Sequence, residues 1–506
     1  MPQPPPTLDT PPGVALSQPA LPVRRRTRRV DPAIVGALLV AALLRMVALG
    51  DQPLAPAEAT FWTAAAGPLS AIAEVGAPLG PLFAWLAVAA AGLSELTVRW
   101  PSAAAGVLLV ALVVPLGRRI GGPALARWAA WIAAGSPFLV FYARTATPIA
   151  LATLLALLST WWYLFLTTGR RRALAGFFLA TLLLGWTSPG ALAILAAQGA
   201  FLWMRRASRR TWALWLLGAG LAFTASLPRI GPLALAPDQS SDVVAEIAAL
   251  VYKLIAPAAA FALGETLPVW QPLGIAALLL VAWLALLGLI RLPRPGRQFL
   301  LVFGLLPLLW TATVTAIGAP RSEAGSVGAS AAYGWPAFGL MVAAGVVALA
   351  SPLRKAVFAT LVAASTVAYG GYFHVRDVAQ PAYLLPVREV LSFVEARAEP
   401  GDLLVADPGS MVAHHAAIHP ARLPVLAAAD PAGVEATIET DRPPRIWFVS
   451  SGDLGSPLVR WITLRYQRIE TRTYLDPDPA AIALKERLLG GVGAEAPIVL
   501  TLYQRR

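Results

Sequence analysis

Most of this chain is divided into apolar stretches long enough to cross a lipid bilayer, and arginines cluster in the short gaps between them. In hydrocarbon every backbone amide must be paired inside its own element, so each such stretch predicts a helix. The stretches lie near residues 33–49, 102–117, 124–142, 149–168, 173–187, 190–204, 211–227, 272–290, 298–317, 333–350 and 356–373. The expected fold class is therefore a polytopic α-helical membrane protein with about eleven transmembrane helices. Composition agrees, since 57% of the residues are hydrophobic and 13% charged, about half the charged share of a soluble domain. The net charge of +13 does not point to nucleic acid, because the basic residues form short clusters rather than one polar face. Lipid is the expected surrounding partner.

Short loops rich in Lys and Arg stay in the cytoplasm. The clusters are Arg24–Arg29 in a Pro-rich tail, Arg118/Arg119, Arg170–Arg172, Arg205–Arg210, Arg291–Arg297 and Arg354/Lys355. Residues 1–32 read as a disordered cytoplasmic tail, and the following span as a signal anchor that is retained. One further apolar run, 79–96, is long enough to cross. If it crossed, every cluster after the first would fall outside; the charge bias therefore predicts that 79–96 lies in the outer interface, within an external loop spanning 50–101. Val244–Leu263, broken by Lys253 and Pro257, reads as a second interfacial helix. The membrane region then runs over 33–375. From 376 to 506 the composition turns soluble, and helix-like Val387–Ala398 alternates with strand-like runs at 403–406, 423–427, 446–450 and 498–503. This predicts a small α/β domain outside the cytoplasm of a plasma or inner membrane.

The chain has no cysteine, which excludes disulfides and thiolate chemistry. His415 and His419 would share one helical face beside His414, as zinc ligands do. Without a carboxylate in the same segment they read as a surface helix end. Ionisable residues are almost absent from the spans, which argues against a transporter.

Several motifs occur in order along the first external loop and beyond: Ala57-Glu58-Ala59-Thr60-Phe61-Trp62, Pro78-Leu79-Gly80-Pro81-Leu82, Arg99-Trp100-Pro101-Ser102, the Gly117–Gly121 turn, and Ser136-Pro137 ahead of Tyr142. In this arrangement the chain resembles the C-type, polyprenyl-phosphate-sugar-dependent glycosyltransferases. The branch it is similar to contains the protein O-mannosyltransferases and the aminoarabinose transferase of lipid A. The resemblance implies a membrane enzyme that moves a sugar from a polyprenyl-phosphate donor to an external acceptor hydroxyl on a protein, lipid or glycan. It also implies a carboxylate base, a cation for the leaving phosphate, and a terminal external domain.

On that resemblance Glu58 is the expected catalytic base, with Asp51 as an alternative base or substrate contact. Arg144 is the expected partner of the donor phosphate, a guanidinium being suited to bidentate recognition, or else a helix cap or a contact to lipid headgroups. Lys253 and Arg321, on external loops, are further candidates for phosphate or lipid headgroups. The sequence departs from the family pattern at three places. Ala57 stands where the family has its aspartate, the turn 142–148 carries no carboxylate, and the family's arginine-tyrosine pair is reduced to Ala332-Tyr333. A divalent metal held between the two loops is thus not supported, and no cofactor is expected. The alternative reading is a catalytically silent relative that binds a lipid-linked substrate or scaffolds the cell envelope.

Overall fold

The computed structural model describes residues 31–55, 58–75, 78–166, 171–188, 190–226, 257–264, 272–317, 331–373, 386–407, 411–419, 421–428, 430–451, 456–475 and 498–506. Up to residue 373 the described elements are helical. The first helix, α1 (Pro32–Met46), is opened by the Asp31 side chain, which accepts from the Ala33 amide, and by Pro32 in the first turn.

Three short helices follow, α2 (Ala59–Ala66), α3 (Leu69–Glu74) and α4 (Leu79–Ala91). At 1.5 Å per residue α4 is about 20 Å long, less than the roughly 30 Å of a hydrocarbon core. It ends at Gly92, whose φ of 82° lies in the left-handed region. Ser94 then starts α5 (Glu95–Ala134) with a reciprocal cap: its hydroxyl accepts from the Thr97 amide while the Thr97 hydroxyl accepts from the Ser94 amide. The next long helix therefore begins at Glu95 rather than near 102, because this cap is stronger than the interruption expected from Arg99-Trp100-Pro101.

α5 is in fact two helices. Gly121 and Gly122, the latter with φ 82°, leave helical dihedrals. A Cβ on Gly117 would sit 3.0 Å from Ala126 Cα, whereas nine residues of straight helix separate such atoms by about 13 Å. The chain thus folds back beside Arg118 and Arg119, where the sequence predicted a turn. The predicted stretch 124–142 is interrupted at Gly135, after which the Ser136 hydroxyl caps α6 (Pro137–Ala143) by accepting from Leu139.

The remaining helices are α7 (Ile149–Tyr163), α8 (Arg171–Thr187), α9 (Ala191–Met204), α10 (Arg209–Ser226), α11 (Pro272–Arg291), α12 (Arg294–Ile317), α13 (Trp335–Ala348) and α14 (Ser351–Phe373). Each falls on a predicted apolar stretch. Glu95–Ala134 and Pro272–Arg291 are long and apolar enough on their own to cross a membrane. A Cβ on Gly288 of α11 would land on the Met341 carbonyl of α13, and one on Gly345 of α13 would land on the Leu284 carbonyl. These helices pack backbone to backbone, the close approach that small residues allow where lipid removes the hydrophobic drive. Between α7, α8 and α9 a buried polar chain runs from Thr181 to Ser159 (2.9 Å), from the Gln198 amide to Ser159 (3.1 Å), and from the Tyr163 hydroxyl to the Gln198 carbonyl (2.8 Å). Of the predicted interfacial helix 244–263, residues 257–263 are described and are helical.

The terminal part is an α/β layer. α15 (Val387–Arg397) precedes β1 (Leu403–Ala406), α16 (Val412–Ile418), β2 (Val425–Ala427), α17 (Pro431–Asp441), β3 (Arg445–Ser451), α18 (Pro457–Arg465), β4 (Tyr466–Leu475) and β5 (Ile498–Arg505). The sheet order is β2-β1-β3-β5-β4, with β1 parallel to β2 and β3, and β5 antiparallel to β3 and β4. β4, an edge strand, was absent from the predicted set. Its Arg468, Glu470 and Arg472 are exposed and its pairing with β5 is bulged, so no apolar run marks it.

The two parts are packed together. One buried apolar cluster contains Phe61 and Trp62 of α2, Ala84 of α4 and Val98 of α5 together with Val390, Leu404 and Trp447 of the terminal domain. Arg388 of α15 also donates to the Asp51 and Gly50 carbonyls of the first loop.

Candidate functional site

The first loop closes on Glu58. This residue is fully buried, and its carboxylate accepts four hydrogen bonds: from the Ala55 amide (2.8 Å), from Arg99 Nε (2.8 Å) and Nη2 (2.6 Å), and from the Ala146 amide (2.6 Å). The two Arg99 contacts form a bidentate ion pair, the geometry that suits a guanidinium and a carboxylate. Arg99 also donates to the Leu49, Gln52 and Pro53 carbonyls at 3.1, 2.7 and 2.8 Å. One carboxylate and one guanidinium thus tie the loop 49–58, the second turn of α5 and the turn after α6 into a single knot. Ser102 extends it by donating to the Thr147 carbonyl at 3.3 Å.

The Glu58 oxygens face an arginine and two backbone amides inside the protein. Arg99, read from the sequence as an anchor for a span, is the partner that sequence reasoning did not connect to Glu58.

Arg144 is also buried. Its Nη1 donates to the Leu44 and Val47 carbonyls at 3.2 and 2.6 Å, and its Nη2 to the Ala48 carbonyl at 2.8 Å. These are carbonyls at the C-terminal end of α1, where the last turn of a helix lacks intrahelical partners. Arg144 thus caps the C-terminal end of α1. Arg45 of α1 makes the converse contact: its guanidinium donates to the Ala133 and Ala134 carbonyls, both at 3.0 Å, at the end of α5. Arg45 was missed as a structural residue, although a charge inside an apolar span is costly enough to signal a fixed partner.

Asp51 has an exposed side chain on the same loop, with its backbone carbonyl held by Arg388. Lys253 and Arg321 lie outside the described residues, as does Ala57. Tyr333, the remnant of the family pair, donates to the Ser188 hydroxyl, beside an apolar cleft lined by Leu116, Leu157, Ile194 and Phe303.

A second polar cluster lies where the terminal domain meets the first loop. Glu95, in the first turn of α5, is 3% exposed. Its carboxylate is 3.1 Å from His419 Nε2, 3.6 Å from His415 Nδ1 and 3.7 Å from Arg388. The carboxylate that the histidine segment lacks in sequence is supplied from far away in the chain.

Residues 75–230 match the family model described as dolichyl-phosphate-mannose-protein mannosyltransferase. No curated protein matches the chain by sequence. Among solved structures, the chain is similar to ArnT from Cupriavidus metallidurans in the apo state, with 13% identity and a TM-score of 0.53 over 92% of this chain and 97% of that one. ArnT bound to undecaprenyl phosphate gives 12% identity and a TM-score of 0.51 over the same shares. The archaeal oligosaccharyltransferase AglB from Archaeoglobus fulgidus is a more distant likeness, at 12% identity and a TM-score of 0.46 over 82% of this chain and 69% of that one. The likeness to ArnT, which extends over nearly the whole length of both chains, is one of fold.

Proposed function

We propose that the protein is a membrane glycosyltransferase that takes a sugar from a polyprenyl-phosphate donor and passes it to an acceptor on the external face. The observation that carries this reading is the likeness of fold over nearly the whole chain to ArnT, one of whose structures holds undecaprenyl phosphate. In this reading α2–α4 and the terminal domain lie on the external side, with the arginine-rich turns in the cytoplasm. The Glu58–Arg99 pair shapes the first loop, and Asp51 is an exposed carboxylate on it, offered as base or substrate contact.

A second reading is favoured by one observation: Ala57 replaces the family aspartate and Glu58 is engaged on all sides by Arg99, Ala55 and Ala146. This is the catalytically silent relative, which binds a lipid-linked substrate without turning it over. Purified protein incubated with radiolabelled polyprenyl-phosphate hexoses and a membrane extract separates the two. Transfer that is lost in Asp51→Asn but not in a surface control such as Glu470→Gln supports the enzyme with Asp51 in its site. Lipid-phosphate binding without turnover across a broad donor panel supports the silent relative.

A further inference from the structure

Glu95, His415 and His419 come from opposite ends of the sequence, yet their ligand atoms all lie within 4.8 Å of one another. From the coincidence of these three donors at the junction of membrane part and terminal domain, we propose a zinc site that staples the two together. The proposal is independent of transferase activity.

The donor set fits this metal. A dication held by two imidazoles and one carboxylate, with a fourth position for water, is a common zinc arrangement, and hard cations such as Mg2+ or Ca2+ prefer all-oxygen sites. In a tetrahedral site with metal–ligand bonds of about 2.0–2.1 Å, ligand atoms are about 3.3 Å apart. The carboxylate oxygen Oε1 of Glu95 is 3.1 Å from His419 Nε2 and 3.6 Å from His415 Nδ1. The two imidazoles sit four residues apart along α16 and its end, with ring centroids 4.6 Å apart.

A second observation points to a ligand. His415 is 6% exposed, and its Nδ1 is buried without a hydrogen-bond partner. Buried polar atoms are almost always satisfied, so an orphan lone pair facing a carboxylate and another imidazole marks a place for a bound group. Arg388 is the one opposing feature. Its guanidinium lies 3.7 Å from Glu95 but is half exposed, and its nitrogens already donate to the Gly50 and Asp51 carbonyls, so it lines the rim of the site.

The test uses full-length protein in detergent, purified without a histidine tag, stripped with chelator and repleted with zinc chloride. Elemental analysis and competition with a chromophoric chelator are expected to give about one Zn2+ per chain, weakened at least about tenfold in Glu95→Gln and in His419→Ala. His414→Ala, beside the cluster but outside it, is expected to bind as wild type does. Cobalt substitution should give the intense visible bands of four-coordinate nitrogen and oxygen ligation, lost in the same two variants. Because His419 is half exposed, its replacement leaves the fold intact, which size-exclusion profile and circular dichroism check. Wild-type protein that takes up no stoichiometric zinc, or variants that bind it unchanged, would overturn the proposal.

Discussion

Replacing Arg99 with methionine should be among the most destabilising single changes in this protein. Arg99 and Glu58 have side chains 4% and 0% exposed, so the substitution leaves a carboxylate buried without its counter-ion. Breaking a buried pair from one side costs about 3–5 kcal/mol. The Leu49, Gln52 and Pro53 carbonyls also lose their donor, which places the expected loss at the upper end of that range. Glu58→Gln alone keeps a hydrogen-bonding side chain of the same shape and should cost less. The double variant should then be more stable than the sum of the two singles predicts, by about 1–3 kcal/mol, because the uncompensated charge is gone. The exposed Arg397–Glu470 pair, 52% and 43% exposed, provides the contrast; its Arg397→Met variant should shift stability by no more than about 1 kcal/mol. Unfolding of the wild type and the four variants in mixed micelles, followed by tryptophan fluorescence, measures all of these. An Arg99→Met cost as small as that of Arg397→Met, or strictly additive singles, would refute the view of Glu58 as the anchor of the first loop.

Other expectations follow from particular contacts. Asp402 is buried; desolvation works against its charged form, but bonds from Arg445, the Glu399 amide and the Trp447 indole outweigh it and hold the pKa below the usual carboxylate value. A lowered folded-state pKa gives stability that is fully present above the unfolded value of about 3.9 and lost as the pH falls through the folded value. Acid titration of the near-ultraviolet signal of Trp447 should therefore show a loss below about pH 4 that Asp402→Asn lacks. Gly122→Ala meets no atom within 4 Å but forces a φ of 82° on a residue with a Cβ; it should lower stability by about 1–2 kcal/mol through backbone strain alone. Gly288→Leu drives a side chain into the Met341 carbonyl, so α11 and α13 must part; a cross-link between cysteines placed on the facing turns should fall sharply in yield.

The helices were legible because long apolar runs predict them whatever else the residues do. Boundaries set by local chemistry were only partly so. The reciprocal cap of Ser94 and Thr97 was present in the sequence, but Arg99, Trp100 and Pro101 masked it, and the helix was expected to start late. The site was harder still, since its roles depend on partners that sequence order hides. Glu58 looks like a free loop carboxylate until Arg99, 41 residues on, and the Ala146 amide, 88 residues on, are brought to it. The histidines of α16 lack an acidic neighbour until Glu95 arrives from 324 residues away. β4 stayed hidden for the opposite reason, because an exposed edge strand carries alternating charge instead of an apolar signal.

Arg45 and Arg144 each close the end of a helix other than their own. The C-terminal carbonyls of α1 therefore wait for a side chain made about a hundred residues later, whereas the terminus at Ala134 is closed by one already made. Neither hairpin is a self-sufficient unit. A chain cut between these arginines would leave the carbonyls of Leu44, Val47 and Ala48 without the Arg144 donors that close the helix.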